Sequence, residues 1–297
     1  MSEEFGGRLL GMSLNYLAGA QSDLAGPAAA ADTYSRNITF CEQRGFVFGE
    51  MVQRASILGV LFDLGRWPEV PREAEKVIEW AETNGYRSLM GSAKLSLVQV
   101  LILTGHLTQA SSLDTEVLES AREANDEALI ASAVVLAAAA AVAEGSYGQA
   151  REFVSEYDHM TRGNPNRNRE LPELMRACHR VGERALATRL LEGADSPVPR
   201  HQHAAAGARA VFVEMTGDLA EAVRLHHGAA EGWAGFGHVY EEGQSLLGEG
   251  RCLVTLERRD EAADPIGRAR QIFTDLGTAP LVAEVDALIG TQAASNS

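Results

Sequence analysis

Apolar residues along this chain gather into helical runs that stop at glycine: Ile57 to Leu64 ends at Gly65, and Leu95 to Leu103 ends just short of Gly105. A glycine in that place suits a helix C-terminal cap in the left-handed region. After it comes a polar residue, often a bulky apolar one, then a helix former, with alanine five positions on; of the seven copies six keep the leading glycine and six the alanine. The phrase recurs at Gly26 to Ala31, Gly65 to Val70, Gly105 to Ala110, Gly145 to Ala150, Gly182 to Ala187, Gly217 to Ala222 and Glu257 to Ala262, with spacings of 39, 40, 40, 37, 35 and 40. The fifth position lies one turn into the following helix, where two antiparallel helices approach closely and a small side chain is required. Each unit therefore predicts an αα-hairpin. Stacking the units predicts an all-α, αα-hairpin solenoid of about seven hairpins, in which each hairpin covers the apolar face its neighbour leaves open.

The departures from the repeat divide it. Between Arg162 and Pro172 the run Gly163-Asn164-Pro165-Asn166-Arg167-Asn168-Arg169 favours turns, so the longest loop is expected there. Gly193 to Pro199, with two prolines, is a second break. The chain reads as one helical-repeat domain over 1–297, with sub-blocks 1–163 and 170–290 suggested by the first break. Pro280 opens a last helix to about Ile289 that caps the stack, and 291–297 is expected to be a frayed tail.

Gly-x-aromatic/Leu-x-x-Ala at a helix-turn-helix joint resembles the tetratricopeptide repeat, whose usual period of about 34 residues is shorter than this one. The terminal stretch, from Tyr240-Glu241-Glu242 through Leu246 to Leu253, Ala269 to Phe273 and Leu276-Gly277 to Pro280 to Glu284, is similar to the C-terminal helical region of bacterial signalling ATPases, nucleotide cyclases and LuxR-type regulators. The resemblance implies a superhelix whose concave face is lined by the first helix of each hairpin. Inward positions then fall about 13, 10, 6, 3 and 2 residues before each turn glycine.

Composition sets the surroundings. The formal charge of −15 and pI near 5.0 disfavour nucleic acid and anionic membrane surfaces as partners of this region alone. Cys41, Cys178 and Cys252 are widely spaced and odd in number, which points to reduced thiols and a cytoplasmic location. The longest uncharged stretch, Ala128 to Ala143, is too short for a bilayer and reads as a buried helix.

Catalytic signatures are sparse. The sequence holds no Gly-x-x-x-x-Gly-Lys-Ser/Thr phosphate loop, and Gly235-Phe236-Gly237 departs from a dinucleotide fingerprint, so neither an enzyme nor a bound cofactor is expected. His201, His203, His226, His227 and His238 fall in two consecutive hairpins, where stacked helices can bring metal ligands together, but a solvated surface accounts for them more simply. Glu241 and Glu242 are adjacent on a helix and point about 100° apart, which fits solvation better than an acid/base pair.

The inward positions supply the candidate site. They are Ser92, Leu95, Gln99, Ile102 and Leu103 in the third unit, and Arg169, Pro172, Arg176, His179 and Arg180 in the fifth. The sixth gives Ala204, Gly207, Val211, Glu214 and Met215, and the seventh Gln244, Leu247, Arg251, Val254 and Thr255. Arg176, Arg180 and Arg251, with Leu95, Gln99 and Ile102, are thus the expected partner-binding groove, because arginine offers a bidentate fork to a carboxylate or phosphate. The alternative is that Arg176 and Arg180 form an i, i+4 pair on a solvated helix face. Two functions follow from these readings. One is a non-catalytic scaffold in bacterial signalling that binds a protein or peptide with an acidic segment, or an anionic small molecule. The other is the ligand-sensing regulatory region of a larger ATPase, cyclase or transcription regulator. An open groove marks the first, and a closed superhelix with a buried polar pocket marks the second.

Overall fold

The computed structural model describes residues 3–294, with side-chain surroundings for residues 10–290 apart from 165 and 166. The described residues form fifteen α-helices and two short 3-10 segments, with no strand. Seven hairpins follow one another: α1 (Glu3–Ala25) with α2 (Pro27–Arg44), α3 (Val47–Asp63) with α4 (Val70–Asn84), α5 (Arg87–Leu103) with α6 (Leu107–Ala124), α7 (Glu127–Ala143) with α8 (Tyr147–Thr161), α9 (Leu171–Val181) with α10 (Arg184–Leu191), α11 (Pro199–Thr216) with α12 (Leu219–Phe236), and α13 (Val239–Thr255) with α14 (Arg259–Asp275). A single helix, α15 (Ala279–Ala294), ends the stack and runs past Ile289, where the sequence placed its end. Residues 295–297, the end of the expected frayed tail, lie outside the described residues.

All seven turn positions named from the sequence have positive φ, and each lies between two helices. At Gly65 (φ 73°) the amide N–H donates to the Phe62 carbonyl and the Arg66 N–H donates back to that of Leu61, so two orphan carbonyls of α3 are satisfied. Glu257 (φ 61°) makes the same turn without being glycine. A second series with positive φ, including Gly45, Gly85, Asn125, Gly237 and Gly277, closes the opposite ends of the hairpins. The underlying period is therefore a helix and turn of about 20 residues. The residues five after each turn are buried in every unit, and Ala110, Ala150, Ala187, Ala222 and Ala262 have no exposed surface.

The break after Arg162 is not a long loop. Pro165–Glu170 forms a 3-10 segment that leads straight into α9. Tyr157 Oη donates to the Arg167 carbonyl and Asn168 Nδ2 donates to the Ala194 carbonyl, while the Arg167 guanidinium meets Asp158 at 3.1 Å. Asn and Gly stop an α-helix here, but buried partners hold the segment in place. One apolar cluster, from Leu95 to Met215, runs across it.

The superhelix closes on itself. The largest apolar cluster joins Ala18, Leu58, Phe62, Trp67 and Val77 of the first two hairpins to Tyr240, Leu253, Ile266, Phe273 and Val285 at the other end of the chain. The approach is close enough to forbid side chains. A Cβ on Gly26 would stand 2.5 Å from the Phe236 carbonyl oxygen, and one on Gly65 would stand 2.9 Å from Leu276 Cδ2. Phe62 stacks on Trp67 at 5.1 Å, and Tyr240 meets both rings at 5.7 and 5.9 Å. The accessible surface of 13968 Å² exceeds the roughly 12,000 Å² of a compact chain of this mass by a modest margin, as a closed coil with a hollow centre should.

Two outcomes follow. Ala110→Leu or Ala222→Leu should overpack a joint and cost about 1–3 kcal/mol in denaturant unfolding, whereas Ala234→Leu on the exposed face of α12 should change stability by less than about 0.5 kcal/mol. Asp114, on α6, is buried with Oδ1 unpartnered, and burial pushes its carboxyl up to about 7 from 3.8. The native state thus holds a proton that the unfolded chain releases near pH 4. Its contribution, on the order of a few kcal/mol, is complete at low pH and is lost as the pH rises through 7. Asp114→Asn should flatten the stability profile between pH 4 and 8 and be more stable than wild type at pH 8.

Candidate functional site

The first helix of each hairpin from the second onward faces the interior, and these helices line a cavity of about 1220 Å³ that is partly open to solvent. The sequence-predicted groove residues Arg176, Arg180, Arg251, Leu95, Gln99 and Ile102 all line it. So do Ser92, Leu103, Arg169, Pro172, His179, Gly207, Val211 and Gln244. Others fall elsewhere: Ala204, Met215 and Leu247 pack into the core, and Glu214 is a buried partner of Arg251. The fourth unit was not read for inward positions, yet the same count back from Gly145 gives Ser132, Val135, Ala139, Val142 and Ala143, and every one lines the cavity.

The wall has two characters. On α5 and α7 it is apolar with small polar groups: Leu95, Ile102, Leu129, Val135 and Leu136 alternate with Ser92, Ser96, Gln99 and Ser132. On α9, α11 and α13 it is ionic. Arg176 donates from Nη1 and Nη2 to the two oxygens of Glu241, each at 2.8 Å, and again to Glu173 at 2.7 Å, with its guanidinium over the Tyr240 ring at 5.4 Å. Burial works against the charge on Arg176, but Glu241 and Glu173 hold its pKa well above the usual value. Glu241 is therefore a buried ion-pair partner rather than the solvated helix residue expected, and Glu242 pairs with Arg268 at 3.1 Å.

Beside this pair lies a hub that the sequence reading did not find. Asp63, at the end of α3, accepts two bonds from Arg200 at the start of α11 and lies 3.1 Å from His238 Nε2 at the start of α13. All three side chains are buried. Burial alone would raise the Asp63 pKa, but Arg200 and His238 hold it below the usual range, and burial keeps the His238 pKa low. Asp63 stands two residues before Gly65, so the inward count applied to the second unit would have flagged it.

The histidines are mostly not the solvated surface expected. His201 is buried beside Ser196, and His203 packs between Trp233 and Phe236 at 5.4 and 5.1 Å. His226 lies buried 3.0 Å from Glu214, under Gly248, where a Cβ would strike its ring. His227 is the exposed one, paired with Glu249 at 3.2 Å. Stacking does bring three donors together: Glu214, His226 and Cys252 offer atoms within 4.8 Å of one another. The set does not fit a metal ion. Arg251 already donates to both Glu214 oxygens at 2.6 and 2.9 Å, which leaves that carboxylate committed to a cation of the chain itself. The three cysteines are free and buried.

The arginines thus line the interior, but each has a carboxylate from its own chain: Arg169 with Asp23, Arg176 with Glu241, Arg180 with Glu284, Arg200 with Asp63 and Arg251 with Glu214. The exposed positive patch implied by the sequence is neutralised in place. Nε of Arg176 and Nδ1 of His238 are buried behind this wall without a hydrogen-bond partner. No family model matches the chain, and no curated relative is found for it. No helix among the described residues is long and apolar enough to cross a membrane.

The hub predicts a cycle. Asp63→Asn and Arg200→Met should each cost about 3–5 kcal/mol because each strands a buried partner, while the double substitution should cost less than the sum by about 2 kcal/mol or more. Unfolding curves of the four proteins measure this coupling, and additive losses would mean that the pair does not tie the two hairpins.

Proposed function

We propose that this chain is a ligand-sensing helical-repeat domain, which takes a small organic molecule or a short peptide into the interior of its superhelix. The observation that supports the reading most is a cavity of about 1220 Å³, partly open to solvent and bounded by six of the seven hairpins and α15. Pockets for drug-sized ligands occupy about 300–1,000 Å³ and combine apolar wall with a few placed polar groups. Here α5 and α7 supply the apolar wall, and the ion-paired network of α9, α11 and α13 supplies the polar one. A ligand touching helices from both halves of the chain would bind the closed superhelix better than an opened one. That difference in affinity is what couples occupancy to conformation.

The scaffold reading asks for a continuous open groove, and the contacts of the first two hairpins with the last two weigh against it. A role in bacterial signalling rests on the resemblance of the terminal stretch to regulatory regions of that kind.

The test is a thermal-shift screen against organic acids, amines and tri- to hexapeptides, comparing wild type with Ser132→Trp. Ser132 lines the cavity and its side chain bonds only within α7, so tryptophan fills the space without removing a structural tie. A true ligand should raise the wild-type midpoint by about 3 °C or more at saturating concentration and leave the variant unmoved. Ligands that shift both proteins equally would place binding outside the cavity.

A further inference from the structure

Four of the five arginines that line the cavity are held by carboxylates of the superhelix body. Arg180 differs. Its Nη2 donates at 2.6 Å to Glu284, which comes from α15, the unpaired last helix, and Arg251 Nη1 approaches the other Glu284 oxygen at 3.5 Å. Arg251 keeps its remaining donors on Glu214, so Nη1 is the corner left for Glu284. All three side chains line the cavity, and Arg180 is half exposed.

Arg180 and Arg251 stand near the C-terminal ends of α9 and α13, where helix carbonyls make the surroundings electronegative and a bound acid needs cationic support. The neighbouring wall is formed by the C-terminal ends of α5 and α7 and by α15 itself, with Ile102, Leu136, Val142, Pro280 and Leu281 lining the same space. Pro280 stands 3.4 Å from the place where a Cβ of Gly105 would lie. A cationic pair therefore sits beside an apolar surface at one end of the cavity. A carboxylate already fills it, donated by the chain's most peripheral helix.

We infer that Arg180 and Arg251 form the acid-binding subsite of the cavity, that the ligand is an amphiphilic organic acid, and that Glu284 occupies the subsite as an internal stand-in for the ligand's acid group. The inference rests on the cavity being a ligand site, as proposed above, and adds the class of ligand. Exchange is cheap on physical grounds. A partly exposed ion pair contributes about 0–1 kcal/mol, so an incoming carboxylate gives the arginines an equivalent partner and does not have to break a buried one. Arg176 and Arg200 are excluded from this role because each is fixed by two bonds to one buried carboxylate.

The test uses the full chain and two probes, octanoate and octan-1-ol, with affinities from calorimetry for wild type, Glu284→Gln and Arg180→Gln. Both substitutions are at partly exposed positions, and circular dichroism confirms the fold. Glu284→Gln should tighten octanoate about fivefold by removing the competing carboxylate, Arg180→Gln should weaken it about fivefold, and octan-1-ol should respond to neither. If octan-1-ol binds and the octanoate affinity stays within twofold across the three proteins, the acid subsite is overturned while the cavity reading stands. If neither probe binds wild type, both fall.

Discussion

The structure depends on the closure of its first two hairpins against its last two. That closure is made at Asp63, where a carboxylate at the end of α3 meets a guanidinium from α11 and an imidazole from α13 inside an apolar frame of Phe62, Trp67 and Tyr240. Stacked hairpins alone make a surface. Only the return of the seventh hairpin onto the second turns that surface into an interior. The glycines at the seam serve the same end, since Gly26 and Gly65 stand where a side chain would collide with the opposite turn.

Ionic groups at such a seam are costly to bury, and an apolar seam would stabilise at least as well. What they add is register. Asp63 accepts from Arg200 only if α3 and α11 meet at one height, and Arg176 reaches Glu241 only if α9 and α13 do. The same network that fixes the coil also forms half of the cavity wall, so a ligand that disturbs these pairs acts directly on the contacts that hold the superhelix closed. The wall on α5 and α7 carries no such ties and is free to supply shape and apolar contact.

Much of this was legible in the sequence because the repeat has a local cause. A residue with positive φ at every turn, and an alanine five places on in six of the seven units, leave a mark along the chain, and the inward count taken from the tetratricopeptide resemblance located the wall on α5 and α9. Closure was not legible. Asp63 and Arg200 are 137 positions apart, and nothing local to either distinguishes a buried partner from a solvated charge. His238 and Glu241 were assigned to the surface for the same reason, and the arginines looked free because their carboxylates lie in other hairpins. The 3-10 segment at Pro165–Glu170 escaped because its stability comes from Tyr157, Asp158 and Ala194 rather than from its own composition.

Small-angle X-ray scattering of the wild-type chain in dilute solution tests closure most directly. A closed superhelix should give a radius of gyration of about 20 Å, near that of a compact domain of this length, and a single-peaked distance distribution. A radius above about 25 Å, with a long tail in the distances, would describe an open solenoid in which the second and seventh hairpins never meet, and would contradict the account.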